Sequence, residues 1–275
     1  LKECIVLSGV FDYDVVIIGG GIGGLMAAYR LRKNSPDIKI AVTERGNKLE
    51  KRHCPAGKSK TCVHCEVCSI TSGFAGAGAF SDGKFNLGTA YGGTLGEELG
   101  DDLANEYIDE VDKILTEYCT SGEPVVYHSN DELKLKCLQN NLRLLDMNVK
   151  HLGTDNNYAT MQNLIDYIDA SGTKVLHFYD CTGIEHENGG YKLSYANGEH
   201  LTAKNVIIAT GRGGANFVAD FCRSNNVKMR SNHIDIGVRV EMKDIIWREF
   251  SSKIYEPKIL YKTKTFEDRC RMFCF

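Results

Sequence analysis

The chain has 275 residues, 33 Lys+Arg against 36 Asp+Glu for a formal net charge of −3, 43% apolar residues and 11 cysteines. That length and apolar share allow one large or two modest domains with a substantial core, and a weakly acidic balance without a long basic run argues against nucleic acid or an anionic membrane as partner. No apolar run reaches the ~18 residues of a membrane span, and an odd number of thiols in a chain this long fits reduced, cytoplasmic cysteines better than a disulfide framework.

Residues 1–11 are ambiguous, with Cys4–Leu7 readable as a short edge strand, and Leu1-Lys2-Glu3-Cys4 shows no signal-peptide pattern. Asp14 to Ile18 is apolar and β-branched, as expected of a parallel strand covered on both faces. Gly19, Gly21 and Gly24 then fill the fixed positions of GxGxxG, with Gly23 between the last two. The first glycine permits the tight turn, the second lets a pyrophosphate approach the backbone, and the third lets helix and strand pack closely. A helix over Leu25–Lys33 would aim its free N–H groups at that phosphate. A second strand, Ile38–Thr43, ends in Glu44, where a carboxylate accepts the ribose hydroxyls of an adenine dinucleotide and repels the 2′-phosphate of NADP.

Asn47–Ser72 is polar, Lys-rich and Cys-rich, and reads as a loop. Cys54, Cys62, Cys65 and Cys68 form C-x7-C-x2-C-x2-C. That spacing suits a [4Fe–4S] cluster, tetrahedral zinc, a redox disulfide, or plain thiols in a surface loop. Lys58 and Lys60 would favour thiolates there. In the next run, from Gly73 to Lys84, glycines at 73, 76, 78 and 83 let backbone lie against a flat or phosphorylated ligand. Its Ala and Phe residues are unlike a flexible linker.

Gly96–Cys119 carries Leu99, Leu103, Ile108, Val111, Ile114, Leu115 and Tyr118 at helical spacing, which predicts one amphipathic helix with a core-facing stripe. Asp131–Met147 and Ala159–Ser171 predict two more. His151-Leu152-Gly153-Thr154-Asp155 reads as a loop entering the last of these, with Asp155 or Asn156 as N-cap. His151 is a candidate acid or base, since an imidazole titrates near ~6.5. Val175–Phe178 is a strand, and Cys181–Glu187 and Tyr191–Tyr195 form a hairpin around Asn188-Gly189-Gly190. After a turn at Asn197-Gly198, Asn205–Gly211 is a buried strand ending in Thr-Gly, and Asp235–Glu241 alternates as another strand.

With these stretches in view, the chain resembles the flavoprotein superfamily typified by glutathione reductase. Within it the likeness is to the FAD-dependent dehydrogenases, also called NAD(FAD)-utilising dehydrogenases. The matching strings are Cys54-Pro55, the Cys62/Cys65/Cys68 run, Gly76-Ala77-Gly78-Ala79-Phe80-Ser81-Asp82-Gly83-Lys84, the His151–Asp155 pentapeptide, Ala209-Thr210-Gly211-Arg212 and Asp235–Glu241, from about Tyr13 onward. The resemblance implies an α/β, Rossmann-like FAD/NAD(P)-binding fold: a parallel sheet with a β-hairpin or meander layer, plus the start of a second, substrate domain. The FAD-binding domain would span 1–234 with helical and Cys-rich insertions at 47–171, and 235–275 would begin the substrate domain. It also implies a continuation past Phe275, so the chain is expected to be a fragment that holds the ADP half of FAD.

The implied cofactor-binding set is Gly19, Gly21, Gly23, Gly24, Glu44, Arg45, Gly76, Gly78, Ser81, Asp82, Gly83, Ala209, Thr210 and Gly211. Candidate catalytic residues are His151, Arg212 and Lys84, while Arg239 and Glu241 share a strand face as a surface ion pair or a substrate contact. No second GxGxxG follows a strand: in Gly211-Arg212-Gly213-Gly214, Asn216 stands at the third glycine position. NAD(P)H, as donor, would therefore bind without a domain of its own. The expected function is an FAD-dependent oxidoreductase passing hydride or electrons between flavin and a small organic substrate. The alternative is a non-catalytic FAD-binding protein with a cysteine-ligated metal or Fe–S sensor loop.

Overall fold

A computed structural model describes residues 10–57, 61–90, 93–120, 122, 124–231 and 234–272. The expected Cys4–Leu7 strand and Lys58 and Lys60 lie outside them. In chain order the elements begin β1 (Tyr13–Ile18), α1 (Ile22–Asn34), β2 (Ile40–Glu44), β3 (Lys84–Asn86), α2 (Leu95–Leu99) and α3 (Asp101–Glu117). They continue through β4 (Val125–His128), α4 (Asp131–Gln139), β5 (Arg143–Leu144), β6 (Asn148–His151), α5 (Thr154–Ala170) and β7 (Lys174–His177). The remainder are β8 (Cys181–Glu187), β9 (Gly190–Tyr195), β10 (His200–Ile208), α6 (Ala215–Ser224), α7 (Asp244–Ser251), β11 (Ile259–Lys262) and β12 (Arg269–Arg271). None of the described helices is long and apolar enough to cross a membrane.

The chain divides into two compact units. The first, Leu1–Ser81 with Asn157–Ser231, is built on a six-stranded sheet ordered β7-β2-β1-β10-β9-β8. Strands β7, β2, β1 and β10 run parallel, and β9 and β8 add an antiparallel hairpin. This is the expected α/β fold with its hairpin layer. Parallel strands are covered on both faces, and Val16, Ile17 and Val42 are fully buried accordingly. The hairpin turns at Asn188 and Gly189, both at positive φ (51° and 78°), the geometry that Asn-Gly turns favour. Helix α5 buries Leu164 and Ile168 completely, each worth roughly 1.5–3 kcal/mol of transfer free energy.

The second unit, Asp82–Asn156 with Asn232–Phe275, holds two antiparallel three-stranded sheets, β3-β6-β4 and β12-β11-β5. Leu133, Cys137, Leu144, Met147, Val149 and Ile254 form its core.

Several predicted elements are redrawn. The single helix over 96–119 is two, because Gly100 turns the chain at φ 82°. Its apolar stripe is not core: Ala104 and Leu115 are buried, but Leu99, Leu103 and Val111 are exposed. The helix from Asp131 ends at Gln139 rather than Met147, since Asn141 adopts a left-handed conformation (φ 56°) and the Leu142 amide returns to the Cys137 carbonyl. Helix α5 starts at Thr154, so Asp155 lies in its first turn, where its charge suits the helix dipole, and neither Asp155 nor Asn156 is the cap. His151 belongs to β6, not to a loop. Residues 235–241 are no strand: they pair with none of the described strands, and Ile236 (91%) and Val238 (88%) are exposed.

Candidate cofactor site

The glycine turn between β1 and α1 has two kinds of glycine. Gly19 sits at φ +110° and Gly24 presses on it, so a Cβ on Gly19 would overlap the Ala209 carbonyl and one on Gly24 would overlap the Gly19 carbonyl oxygen. These two are packing glycines. Gly21 and Gly23 face space: a Cβ on Gly23 would meet nothing within 4 Å, and one on Gly21 only the Gly76 Cα at 3.8 Å. No side chain caps α1, and its first turn holds no acid. An uncapped helix start over two open glycines is a cradle for a phosphate.

The Gly73–Phe80 run closes one side of this turn. The Ala75 amide donates to the Gly20 carbonyl at 2.8 Å, the Phe74 ring packs on Gly20, and Gly76 lies against Gly21. Ala75 itself is left-handed at φ 67°, which a non-glycine residue adopts at a steric penalty. Asn157, buried on α5, holds the following turn by donating from Nδ2 to the Gly78 carbonyl at 2.8 Å. Ser81, exposed, donates its hydroxyl to the Gly78 carbonyl at 2.8 Å.

Glu44 is buried at the end of β2 and joins three pieces of backbone. Its Oε2 accepts from Gly20 N at 2.9 Å, and its Oε1 from Gly46 N at 2.9 Å and Gly73 N at 2.8 Å. A carboxylate has about four lone-pair sites, so this leaves one acceptor position for a ribose hydroxyl. Arg45 donates to Ser72 Oγ at 2.8 Å and to Gly213 O at 3.3 Å. At the mouth of β10 the Thr210 hydroxyl is buried without a hydrogen-bond partner. The open glycines, the uncapped helix and this orphan hydroxyl fit an adenine dinucleotide. Arg212 is exposed on a short 3₁₀ turn after Gly211.

Arg52 escaped the sequence reading. Its buried guanidinium donates to the carbonyls of Ser69 (2.9 Å), Ile70 (2.9 Å), Phe74 (2.6 Å) and Gly76 (2.8 Å), and it stacks over the Phe80 ring at 4.8 Å. Burial pulls its pKa down, and the Glu44 charge opposes that. The available signal was chemical: a lone Arg among the lysines of that loop, where a fork of five donors suits several carbonyls.

The four cysteines do not assemble. Cys54, Cys62, Cys65 and Cys68 are exposed free thiols, and among the described residues no group of three or more His, Cys, Asp or Glu is placed to hold a metal ion. The described side chains thus do not form the ligand set that a cluster or zinc would need, one of the alternatives the spacing allowed. Two of the thiols meet nearby backbone: the His64 amide donates to Cys62 Sγ at 3.4 Å, and the amides of Thr71 and Ile70 hold the Cys68 thiol below its usual pKa.

In the second unit, Lys84 on β3 is registered opposite His151 on β6. The Lys84 ammonium lies 2.6 Å from the buried Glu256 carboxylate, which also meets Lys258 at 3.1 Å. The Asp82 carboxylate accepts a short hydrogen bond from the Tyr255 hydroxyl. Gly83 serves the turn into β3, at φ 66°. Arg239 and Glu241 form an exposed ion pair at 3.6 Å.

A family model described as pyridine nucleotide-disulphide oxidoreductase matches residues 13–232. Over 33 residues, 12% of this chain and 9% of the other, the sequence is 61% identical to thiamine thiazole synthase from Candida albicans (strain WO-1). A thiamine thiazole synthase from Yarrowia lipolytica (strain CLIB 122 / E 150) is 60% identical over 35 residues, 13% of this chain and 11% of that one. The chain thus spans about a tenth of the length of these curated relatives. Among solved structures, glycine oxidase from Geobacillus kaustophilus aligns with a TM-score of 0.48 at 14% identity, over 76% of this chain and 58% of that one. The 3-ketosteroid-delta4-(5alpha)-dehydrogenase from Rhodococcus jostii RHA1 aligns with a TM-score of 0.47 at 17% identity, over 75% and 48%.

Proposed function

The chain belongs to the pyridine nucleotide-disulphide oxidoreductase family, and from that premise we propose that it is an FAD-dependent oxidoreductase acting on a small organic substrate. One observation carries the reading: the start of α1 is uncapped and opens over Gly21 and Gly23, where no side chain intrudes. The amides of that turn would bind the pyrophosphate. Gly76 and Gly78 would lie alongside it, the remaining acceptor position of Glu44 would take a ribose hydroxyl, and Thr210 would supply a further hydroxyl. FAD, when bound, supplies two-electron chemistry, and the protein supplies binding, orientation and electrostatics. Glu44 would repel a 2′-phosphate and so favour FAD over NADP at this site. We place the chain among the NAD(FAD)-utilising dehydrogenases, with NAD(P)H as a donor that has no domain of its own.

The test is the visible flavin band of the purified protein and its titration with FAD. Gly21→Val fills the open space and abolishes binding, and Glu44→Arg does the same by removing the carboxylate. Full FAD affinity in a folded Gly21→Val protein overturns the proposal.

A further inference from the structure

Phe178 is exposed and held in a backbone conformation that its side chain disfavours. It follows β7 at φ 61°, in the left-handed region, and is 56% exposed. Gly, Asn and Asp adopt that conformation readily and a bulky residue does not. A ring left in water also gains little from burial to offset the steric cost.

The surrounding backbone imposes the conformation from two sides. The Phe178 amide donates to the Gly46 carbonyl at 3.1 Å, and the Tyr179 amide to the Glu44 carbonyl at 2.9 Å. Asn197 Nδ2 donates to the Phe178 carbonyl at 3.2 Å, and the Ala196 amide to the Asp180 carbonyl at 2.9 Å. Strain that is over-determined in this way gathers at functional sites and ligand clamps.

The neighbour across these bonds is the Glu44–Gly46 stretch, in the same compact unit. Strand β7 pairs with β2 so that His177 is registered opposite Glu44. The His177 ring packs on the Phe178 ring at 5.1 Å between centroids, tilted by 54°. Arg45, between Glu44 and Gly46, is turned to Ser72 Oγ and the Gly213 carbonyl. The base of a nucleotide is joined directly to its ribose, so it lies beside whatever holds the ribose hydroxyls. With a ribose at Glu44, the aromatic ring next along the rim is Phe178.

We propose that Phe178 is the stacking platform for the adenine of the bound dinucleotide, with His177 as the residue that supports its ring. The inference deepens the proposed function and rests on it. The base covers a ring face that is otherwise wet, and stacking on an aromatic side chain needs no hydrogen bond to the base. The strained backbone thus keeps a flat apolar surface at the rim before the ligand arrives, and the affinity it adds belongs to the adenosine half of the cofactor.

The experiment uses the full chain with FAD and with ADP, which carries adenine, ribose and pyrophosphate but no flavin. Calorimetric titration gives both affinities. Phe178→Asn removes the ring and tolerates the left-handed backbone, so circular dichroism is unchanged while both affinities fall about tenfold or more. Phe178→Tyr keeps a ring face and restores both. In NMR of the wild type, the base protons of bound ADP shift upfield and give Overhauser cross-peaks to the Phe178 ring protons; Phe178→Asn loses the upfield shift. Wild-type ADP affinity in Phe178→Asn, or bound ADP whose base protons show no contact with the Phe178 ring, overturns the inference. A wild-type protein that binds neither ADP nor FAD overturns the proposed function instead.

Discussion

Gly21 and Gly76 lie backbone to backbone: a Cβ on Gly76 would stand 3.1 Å from the Gly21 Cα, and Gly76 is at φ +64°. A residue 55 positions downstream therefore shapes the glycine turn as much as the turn's own sequence does. Gly76→Ala is expected to strain that approach and weaken FAD binding about tenfold or more, which corresponds to about 1.4 kcal/mol. Fluorescence titration with FAD measures it.

The two kinds of glycine separate stability from binding. Gly23→Ala meets open space inside a helix, so the ligand-free protein gains stability, by up to about 1 kcal/mol, while FAD binds more weakly. Gly24→Ala drives a methyl into the Gly19 carbonyl and destabilises by about 1–3 kcal/mol, the usual range for overpacking. Thermal unfolding with and without FAD reads both.

Glu44→Gln tests the carboxylate that joins Gly20, Gly46 and Gly73. The amide nitrogen of Gln faces a backbone N–H at one or more of these positions. A loss of about 1–3 kcal/mol in urea unfolding follows from the unsatisfied donor.

Arg52→Lys keeps the charge and loses the fork. A single ammonium cannot serve the Ser69, Ile70, Phe74 and Gly76 carbonyls together. Stability is expected to fall by about 2 kcal/mol or more, and protease is expected to cut within residues 69–80 before it cuts elsewhere in the first unit.

Cys181 predicts an alkaline dependence. Burial raises its thiol from 9.0 to about 11. The folded value exceeds the unfolded one, so its contribution is fully present below pH 9 and is lost as pH rises from 9 to about 11. At 1.36 kcal/mol per unit the loss over those two units is about 2.7 kcal/mol. Urea midpoints across that window should fall in the wild type and stay flatter in Cys181→Ala.

The first unit was legible because its signals are local. β-branched runs, glycines at fixed spacing and an Asn-Gly turn constrain backbone within a few residues, and the structure follows them in β1, α1, β2 and the β8–β9 hairpin. What was illegible depends on distant partners. The stripe of Leu99, Leu103 and Val111 has helical period, yet Gly100 divides its helix and little packs on it. Asp235–Glu241 alternates like a strand, but alternation does not supply a neighbour to pair with. Arg52 and Tyr255 act through carbonyls and a carboxylate that no spacing rule connects to them. The cysteine spacing admitted a cluster, zinc, a disulfide or plain thiols, and spacing along a loop does not by itself bring four side chains together in space.

The seat of Gly19 against Ala209 bears on biosynthesis. β1 is flanked on one side by β2 and on the other by β10, whose residues follow some 190 positions later. A ribosome that has released β1, α1 and β2 has therefore displayed the whole glycine fingerprint without the wall behind it. The dinucleotide seat is completed only after the residues around 200–210 have left the exit tunnel, which makes capture of the prosthetic group a late event in translation.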